Sequence, residues 1–287
     1  MKPIVKYQGG KTRELPLIKK LLPQSYDTVL EPFAGGAAVS FALGHRCILN
    51  DMNDALINMY RQVSHPTTFH EVFAHVNWLK TLEHDDLSVE YYKARDYING
   101  THVDPYTWAV SYITVRQLCF SGMERYNKAG KFNVPYGHYK KFSCNLDWNH
   151  MKFLHQSGSS IFHGDFERIF DMAGKNDFIF IDPPYLDRLG YAHGNDTLHE
   201  RLVSCMHNTK AKWLFIHSDN DFYRDALSEY HIMYKNFGYA QRFGKNKNHD
   251  NAQVSHMYVT NYEDDMTLHR VNNATLQTLL EPDRIEA

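Results

Sequence analysis

An α/β fold on a doubly wound, mostly parallel sheet is the architecture this sequence predicts, on three observations. Short apolar, β-prone runs alternate with stretches of helical spacing, the pattern of strands joined by crossover helices. Two of the runs end in loops that bring backbone to a sheet edge. Thr28-Val29-Leu30-Glu31 passes into Pro32-Phe33-Ala34-Gly35-Gly36-Ala37-Ala38-Val39, and Asp177-Phe178-Ile179-Phe180-Ile181 passes into Asp182-Pro183-Pro184-Tyr185. The alternation is interrupted once, over residues 64–157, where helical spacing prevails.

Taken in order, the strand at 28–31 is followed by Cys47-Ile48-Leu49-Asn50, a second strand ending at Asp51. Residues 52–60 then read as a helix capped near Asn53 or Asp54. Residues 69–76 and 107–113 carry apolar side chains at helical spacing. They predict a small helical domain inserted at 64–157, ending in a hairpin near 125–141. Strand and helix resume with Ser160-Ile161-Phe162-His163 and the strand at 177–181. Residues 197–207 form a helix with Leu198, Leu202 and Val203 on one face. A strand at 212–217 precedes a helix capped by Asn220 or Asp221. A closing hairpin spans 231–262 with a long basic turn. The chain thus divides into a sheet domain (1–63 and 158–263), the helical insertion, and a polar tail at 264–287.

Composition narrows the function classes. The 287 residues are 43% hydrophobic, and no run of about 18 apolar residues predicts a membrane span. The start lacks the apolar core of a secretory signal. The four cysteines, Cys47, Cys119, Cys144 and Cys205, are scattered and form no CxxC pair, which predicts reduced thiols in a cytoplasmic protein. Despite 18 histidines, His65, His70 and His75 lie five apart and no HExxH occurs, so no metal is expected. The net charge of −2 hides a segregated distribution. Residues 125–141 hold Arg125, Lys128, Lys131, Lys140 and Lys141 without an acid, interleaved with Tyr126, Phe132, Tyr136 and Tyr139. Arg242, Lys245, Lys247 and His249 form a second basic stretch. Two such surfaces could straddle a nucleic-acid backbone on a neutral body; a solvated loop is the alternative for each run, and the first, where charge and aromatics coincide, favours DNA contact.

Asp182-Pro183-Pro184-Tyr185 carries the most specific chemistry. Proline fixes φ and lacks an N–H, so consecutive prolines hold the Pro183 carbonyl rigidly beside the Asp182 carboxylate. An exocyclic amine on a nucleobase is a poor nucleophile because its lone pair is delocalised into the ring. Two acceptors that draw its protons out of plane push the nitrogen toward sp³ character. Tyr185 offers a face for the base to stack on, a contact worth ~1–3 kcal/mol. A duplex base must be swung out to reach it. The competing reading is a plain strand-ending turn, since Asp and Pro are common turn formers.

The loop 32–39 suits the methyl donor. Small residues after a parallel strand let backbone approach a ligand, and Asp51, about twenty residues on, is placed for ribose hydroxyls. Neither GxGxxG nor GxxxxGK[ST] is present, against a dinucleotide or triphosphate. S-adenosylmethionine, with a ribose and no phosphate, fits the acidic loop better. Lys6-Tyr7-Gln8-Gly9-Gly10-Lys11 reads alone as a flexible terminus. Beside the other blocks, Tyr7 walls the donor pocket and Lys11 reaches the carboxylate of the donor's methionine moiety.

These blocks, in this order, resemble the Dam-type (D12 class, alpha group) DNA adenine-N6 methyltransferases. Residues 119–141, Cys-Phe-Ser-Gly-Met-Glu-Arg-Tyr-Asn-Lys-Ala-Gly-Lys-Phe-Asn-Val-Pro-Tyr-Gly-His-Tyr-Lys-Lys, are similar to that family's target-recognition hairpin. The resemblance runs from about Lys6 to Tyr185. It implies a class I S-adenosylmethionine-dependent methyltransferase fold and transfer to adenine in double-stranded DNA without a covalent intermediate. It implies donor contacts from Tyr7, Lys11, Glu31, Pro32, Phe33, Ala34, Gly35, Gly36, Asp51, Asp165, Phe166 and Asp182. Locally, Asp165 reads equally as a helix N-cap and Phe166 as core. No cysteine follows a proline, so the nucleophile of cytosine-C5 enzymes is missing.

Arginine pairs with guanine and asparagine with adenine in the major groove, which makes Arg116, Arg125 and Asn127 candidates for base contacts. Lys128, Tyr139, Lys140, Lys141, Lys245 and Lys247 are candidates for the DNA surface. Asn133 and Pro135 contact DNA or shape the turn. Ser121, Met123 and the loop 186–194 depart from the family's usual runs, so its common GATC target is not carried over. Cytosine-N4 transfer, RNA or protein-glutamine methylation, and a catalytically dead DNA-binding protein remain as alternatives. A monomer is the simplest expectation.

Overall fold

The computed structural model describes residues 1–101, 104–156, 159–186, 196–239 and 252–263. Helices α1 (Leu15–Lys20), α2 (Ala38–Leu43) and α3 (Asp54–Ser64) alternate with strands β1 (Val29–Glu31) and β2 (Cys47–Asp51). Then come α4 (Pro66–Leu79), α5 (His84–Ile98), α6 (Pro105–Leu118) and α7 (Trp148–Gln156). Alternation returns with β3 (Ser160–His163), α8 (Glu167–Met172), β4 (Phe178–Ile181), α9 (Asp196–Asn208), β5 (Lys212–Ser218) and α10 (Asp221–Ala226). Strands β6 (His231–Tyr239) and β7 (Ala252–Thr260) close the fold.

All seven strands form one sheet in the order β3-β2-β1-β4-β5-β7-β6. The first five are parallel, and β7 pairs antiparallel with both β5 and β6. Strand sides alternate between two cores. Val29, Phe178, Phe180, Leu214 and Ile216 pack on the face covered by α1 to α7. Leu30, Ile179, Ile181, Trp213 and Phe215 pack under α8, α9 and α10. A sheet buried on both faces explains why these strands read as unbroken apolar runs.

The helical insertion shares the first core. Phe69, Val72, Tyr91 and Ile113 belong to the same apolar cluster as Val29 and Phe178. Asn53 caps α3, its side chain accepting from the Leu56 amide, and Asn220 caps α10 at the Tyr223 amide. Helices α5 and α7 are additions to the sequence reading; α5 buries only Leu87, Tyr91 and Ala94, a stripe too sparse to stand out. The amino terminus is anchored, contrary to a flexible reading. Ile4 and Val5 are buried, and Gln117 Nε2 donates to the Ile4 carbonyl at 2.9 Å.

Candidate active site

Strand order places the site. β1 and β4 are neighbours, but the chain leaves β1 outward through β2 and β3 and returns to β4 on the other side. Ligands in open α/β sheets sit at this kind of reversal, beyond the carboxyl ends of the strands. Three acids and a glycine loop line that edge in spatial order: Asp165 after β3, Asp51 ending β2, the Gly35-Gly36 loop after β1, and Asp182 after β4.

The glycine loop is held from three sides. The Gly35 amide donates to Asp51 Oδ2 at 2.9 Å, and Tyr60 donates through its hydroxyl to the Gly35 carbonyl at 2.7 Å. Buried Asn50 donates to the Pro32 and Gly164 carbonyls, both at 2.9 Å, and so ties the loops after β1 and β3 together. Gly35 has φ +47°, and a Cβ there would lie 2.8 Å from Tyr7 Cε1. Glycine takes that backbone without strain and alone leaves room for that approach. Tyr7 therefore packs on the loop, as a wall.

Asp51 accepts from the Gly35 and Asn53 amides. Burial pushes its carboxyl above the usual range, against those bonds. Each carboxylate oxygen has a second lone pair, so a ribose hydroxyl still finds an acceptor. Glu31 lies beneath the loop and accepts from the Ser40 amide at 2.8 Å. Burial pushes its carboxyl up to about 7. Asp165 is half exposed and pairs with Arg201 NH2 at 2.8 Å, while Arg201 Nε reaches Glu167 at 2.6 Å. Phe166 is buried against Phe33, ring centroids 5.2 Å apart.

Asp182 is about one-fifth exposed, its side chain showing 19% of its surface. Lys11 Nζ donates to Asp182 Oδ2 at 2.7 Å and to the Gly9 carbonyl at 2.9 Å. This corrects the sequence expectation for Lys11. Its side chain is 4% exposed, and a buried cation needs an anion within reach, which here is Asp182. Burial raises the Asp182 carboxyl, and Lys11 opposes that rise. The Tyr185 ring lies 4.6 Å from the His217 ring, 5.6 Å from His256, and 5.2 Å from the Lys11 ammonium. Behind it, Glu14 Oε2 takes His256 Nδ1 at 3.1 Å and the Tyr258 hydroxyl. This buried group escaped sequence reading because Glu14 and His256 meet across 242 residues.

The recognition segment is a short, irregular hairpin. Phe120 N donates to the Pro135 carbonyl and Gly137 N to the Leu118 carbonyl. Cys119 bridges Tyr136, and Tyr126 bridges Phe132. Arg125, Lys128, Lys131, Lys140 and Lys141 are exposed, as a DNA-facing surface requires. Several expected contacts are corrected. Arg116 is 1% exposed. Its guanidinium donates to the Lys6, Met123 and Gly122 carbonyls and faces Glu124 at 3.4 Å. It is a buried strut and reaches no base. Tyr139 folds inward, with Lys6 Nζ 3.9 Å over its ring. Asn127 Oδ1 holds the turn by accepting from the Ala129 and Lys131 amides. A bidentate grip on adenine would have to break those bonds. Asn133 accepts from Arg125 Nε at 2.8 Å and so shapes the hairpin, as does the Pro135 carbonyl. Lys245 and Lys247, the basic turn 240–251 and the tail 264–287 lie outside the described residues. Glu124 had no sequence signal, yet it joins Asn53 Nδ2, the Tyr126 hydroxyl and Arg116.

Among the described residues, no helix is long and apolar enough to cross a membrane. A mixed seven-stranded sheet bearing this acidic edge defines an α/β methyltransferase of the class I fold. A family model described as D12 class N6 adenine-specific DNA methyltransferase matches residues 7–241, and the chain belongs to that family. It is 32% identical over 270 residues to the Type II methyltransferase M.CviBI of Paramecium bursaria Chlorella virus NC1A, covering 91% of this chain and 100% of the relative. It is 30% identical over 283 residues to Type II methyltransferase M1.LlaDCHI of Lactococcus lactis subsp. cremoris, covering 91% and 96%. The DNA adenine methylase of Haemophilus influenzae is 31% identical over 188 residues, 64% of each chain.

Proposed function

We propose that this D12-class enzyme uses S-adenosylmethionine, held along the carboxyl edge of β3, β2 and β1, to methylate an adenine rotated out of double-stranded DNA into the Asp182–Tyr185 turn. The observation that carries the reading is the placement of Asp182, its side chain partly open, directly beside the glycine cradle at the β1/β4 reversal. The residues present fit the donor. A Cβ at Gly35 would strike the Tyr7 ring, so the bare loop keeps its backbone and the Tyr7 wall together at the edge where the donor lies. Asp51 receives the ribose, Asp165 the adenine edge, and Pro32, Phe33, Ala34, Gly35 and Gly36 the remainder; Glu31, buried beneath the loop, and Phe166, buried behind Phe33, support these residues and do not meet the donor. Bound there, the donor supplies a methyl group on a positively charged sulfur.

The protein's residues act on the amine. Asp182 accepts one N6 hydrogen and the Pro183 carbonyl accepts the other. Both bonds withdraw the lone pair from the ring and localise it on nitrogen. Pro184 keeps the carbonyl in place, and Tyr185 backs the base. Lys11 orients the Asp182 carboxylate and favours its charged, accepting form. Residues 64–157 serve as the target-recognition domain, with Arg125 reading a base and Lys128, Lys140 and Lys141 gripping phosphates. The protein works as a cytoplasmic monomer.

Incubation with methyl-labelled donor and duplex DNA, then nucleoside analysis, tests the reading. N6-methyladenine is expected at one short sequence. N4-methylcytosine, or label in RNA or protein alone, overturns it.

A further inference from the structure

We propose that His217, on β5, is the positioning residue of the catalytic turn, acting in one neutral tautomer. The proposal rests on the methyltransferase reading of that turn and adds a residue to it. Pro183 and Pro184 have no N–H. Past Asp182, the turn can therefore be tied down by backbone donation only through the residues that follow the prolines. The Leu186 amide donates to His217 Nε2 at 3.2 Å, and the His217 ring lies 4.6 Å from the Tyr185 ring at 36°. One fully buried side chain thus holds both the backbone and the aromatic ring at the end of the tetrapeptide.

The bond from the Leu186 amide sets the tautomer. Nε2 accepts from Leu186, so its lone pair is committed and the proton resides on Nδ1. Nδ1 lies 2.8 Å from the Ser218 carbonyl, 3.0 Å from Asn220 Nδ2 and 3.2 Å from Ser218 Oγ; with Nε2 already accepting, the carbonyl is the acceptor that takes the Nδ1 proton. Asn220 Nδ2 donates to that same carbonyl at 3.0 Å, and Asn220 Oδ1 caps α10 at the Tyr223 amide. Tyr223 in turn packs on the His217 ring, centroids 4.7 Å apart. The β5–α10 corner is therefore a rigid mount, and His217 transmits it to the turn. An imidazole that accepts on one nitrogen and donates on the other is set by what its far nitrogen touches.

The consequence is selective. The donor cradle belongs to β1, β2 and β3, and Lys11 orients Asp182 independently of β5. Loosening Leu186 and Tyr185 displaces the acceptor and stacking groups that meet the base, while the donor groups stay in place. His217→Phe keeps an aromatic ring and removes the acceptor. His217→Gln removes the ring and can present a carboxamide oxygen to Leu186.

The experiment compares single-turnover methylation of duplex DNA with S-adenosylhomocysteine affinity in the wild type and both variants. His217→Phe is expected to slow methylation about tenfold, the scale of one ordinary hydrogen bond, with cofactor-product affinity within about twofold. His217→Gln is expected to recover the rate to within about threefold of wild type. Equal rate loss in both variants, no loss in either, or a parallel fall in S-adenosylhomocysteine affinity overturns the proposal. Nitrogen-15 shifts of His217 in the wild type read the tautomer independently of activity and of the variants' folding. A protonated Nδ1 is expected, and a protonated Nε2 overturns it. A wild type inactive on DNA with the Nδ1-protonated imidazole in place would instead refute the methyltransferase assignment.

Discussion

The carboxyl edge of β1–β4 and the recognition segment 119–141 were both readable as motifs, yet they behave differently in three dimensions. At the edge, Asp51 and Asp182 sit where the ends of their strands put them, each beside the loop the motif suggested. In and beside the recognition segment, residues selected by base-pairing chemistry turn out to brace the protein: Arg116 on α6 is a buried strut and Asn127 holds the hairpin turn, while Asn133 shapes the hairpin, one of its two sequence readings. A strand end fixes position and direction together, because a parallel sheet leaves little freedom in register. A loop fixes neither until its side chains find partners. Residue type thus predicts placement at a sheet edge far better than in a hairpin.

The sharpest test of the edge is Asp182→Ala. Methylation is expected to fall by roughly 10²–10³-fold, the scale of one removed transition-state hydrogen-bonding group. Binding of S-adenosylhomocysteine should persist, since the cradle is built from β1 and β2. Turnover near wild type would break the comparison on its stronger side. Arg116→Ala probes the other side. It leaves Glu124 and three carbonyls without their partner, and unfolding should become easier by about 3 kcal/mol. Thermal or denaturant melts measure that. A variant of normal stability that methylates a relaxed set of sites would restore Arg116 as a base reader.

Arg125→Ala sharpens the contrast within the hairpin. Arg125 is exposed, and its guanidinium donates to Asn133 Oδ1 and the Asn133 carbonyl. Its loss should relax discrimination at one base pair by about 1–3 kcal/mol. Substrates carrying single base-pair changes read this out. Equal loss on every sequence would make Arg125 a brace like its neighbours.

The smallest expected effect is on pH dependence. Burial holds the Glu31 carboxyl at about 7 in the fold, against an ordinary value of 4.5. The neutral buried acid is stabilising below the unfolded value, and that contribution is lost as pH rises from 4.5 to 7. Glu31→Gln should therefore show a shallower loss of unfolding free energy across this window than the wild type. Identical slopes in denaturant titrations at several pH values would place Glu31 in a wetter setting than the fold gives it.

Strands β1 to β5, the caps at Asn53 and Asn220, and the closing β6–β7 hairpin were legible because apolar runs and cap residues are local signals. The α5 helix was less so, since its apolar stripe is only three residues deep. Within the site, Asp51, Gly35 and Asp182 were legible from the chain alone. Asn50, Glu124, His217 and the Glu14–His256–Tyr258 group were not, because each acts through partners far away in sequence.

By itself, the amino-acid order determined the α/β class, the strand-end acids Asp51 and Asp182 and the turn with its two prolines, since strand periodicity and proline geometry are properties of neighbouring residues. Tertiary structure alone decided that Lys11 meets Asp182, that Arg116 is buried, and that His217 underlies Tyr185. Those outcomes depend on which buried polar groups come within hydrogen-bonding reach, and an unsatisfied buried charge or amide costs too much to be left to local preference.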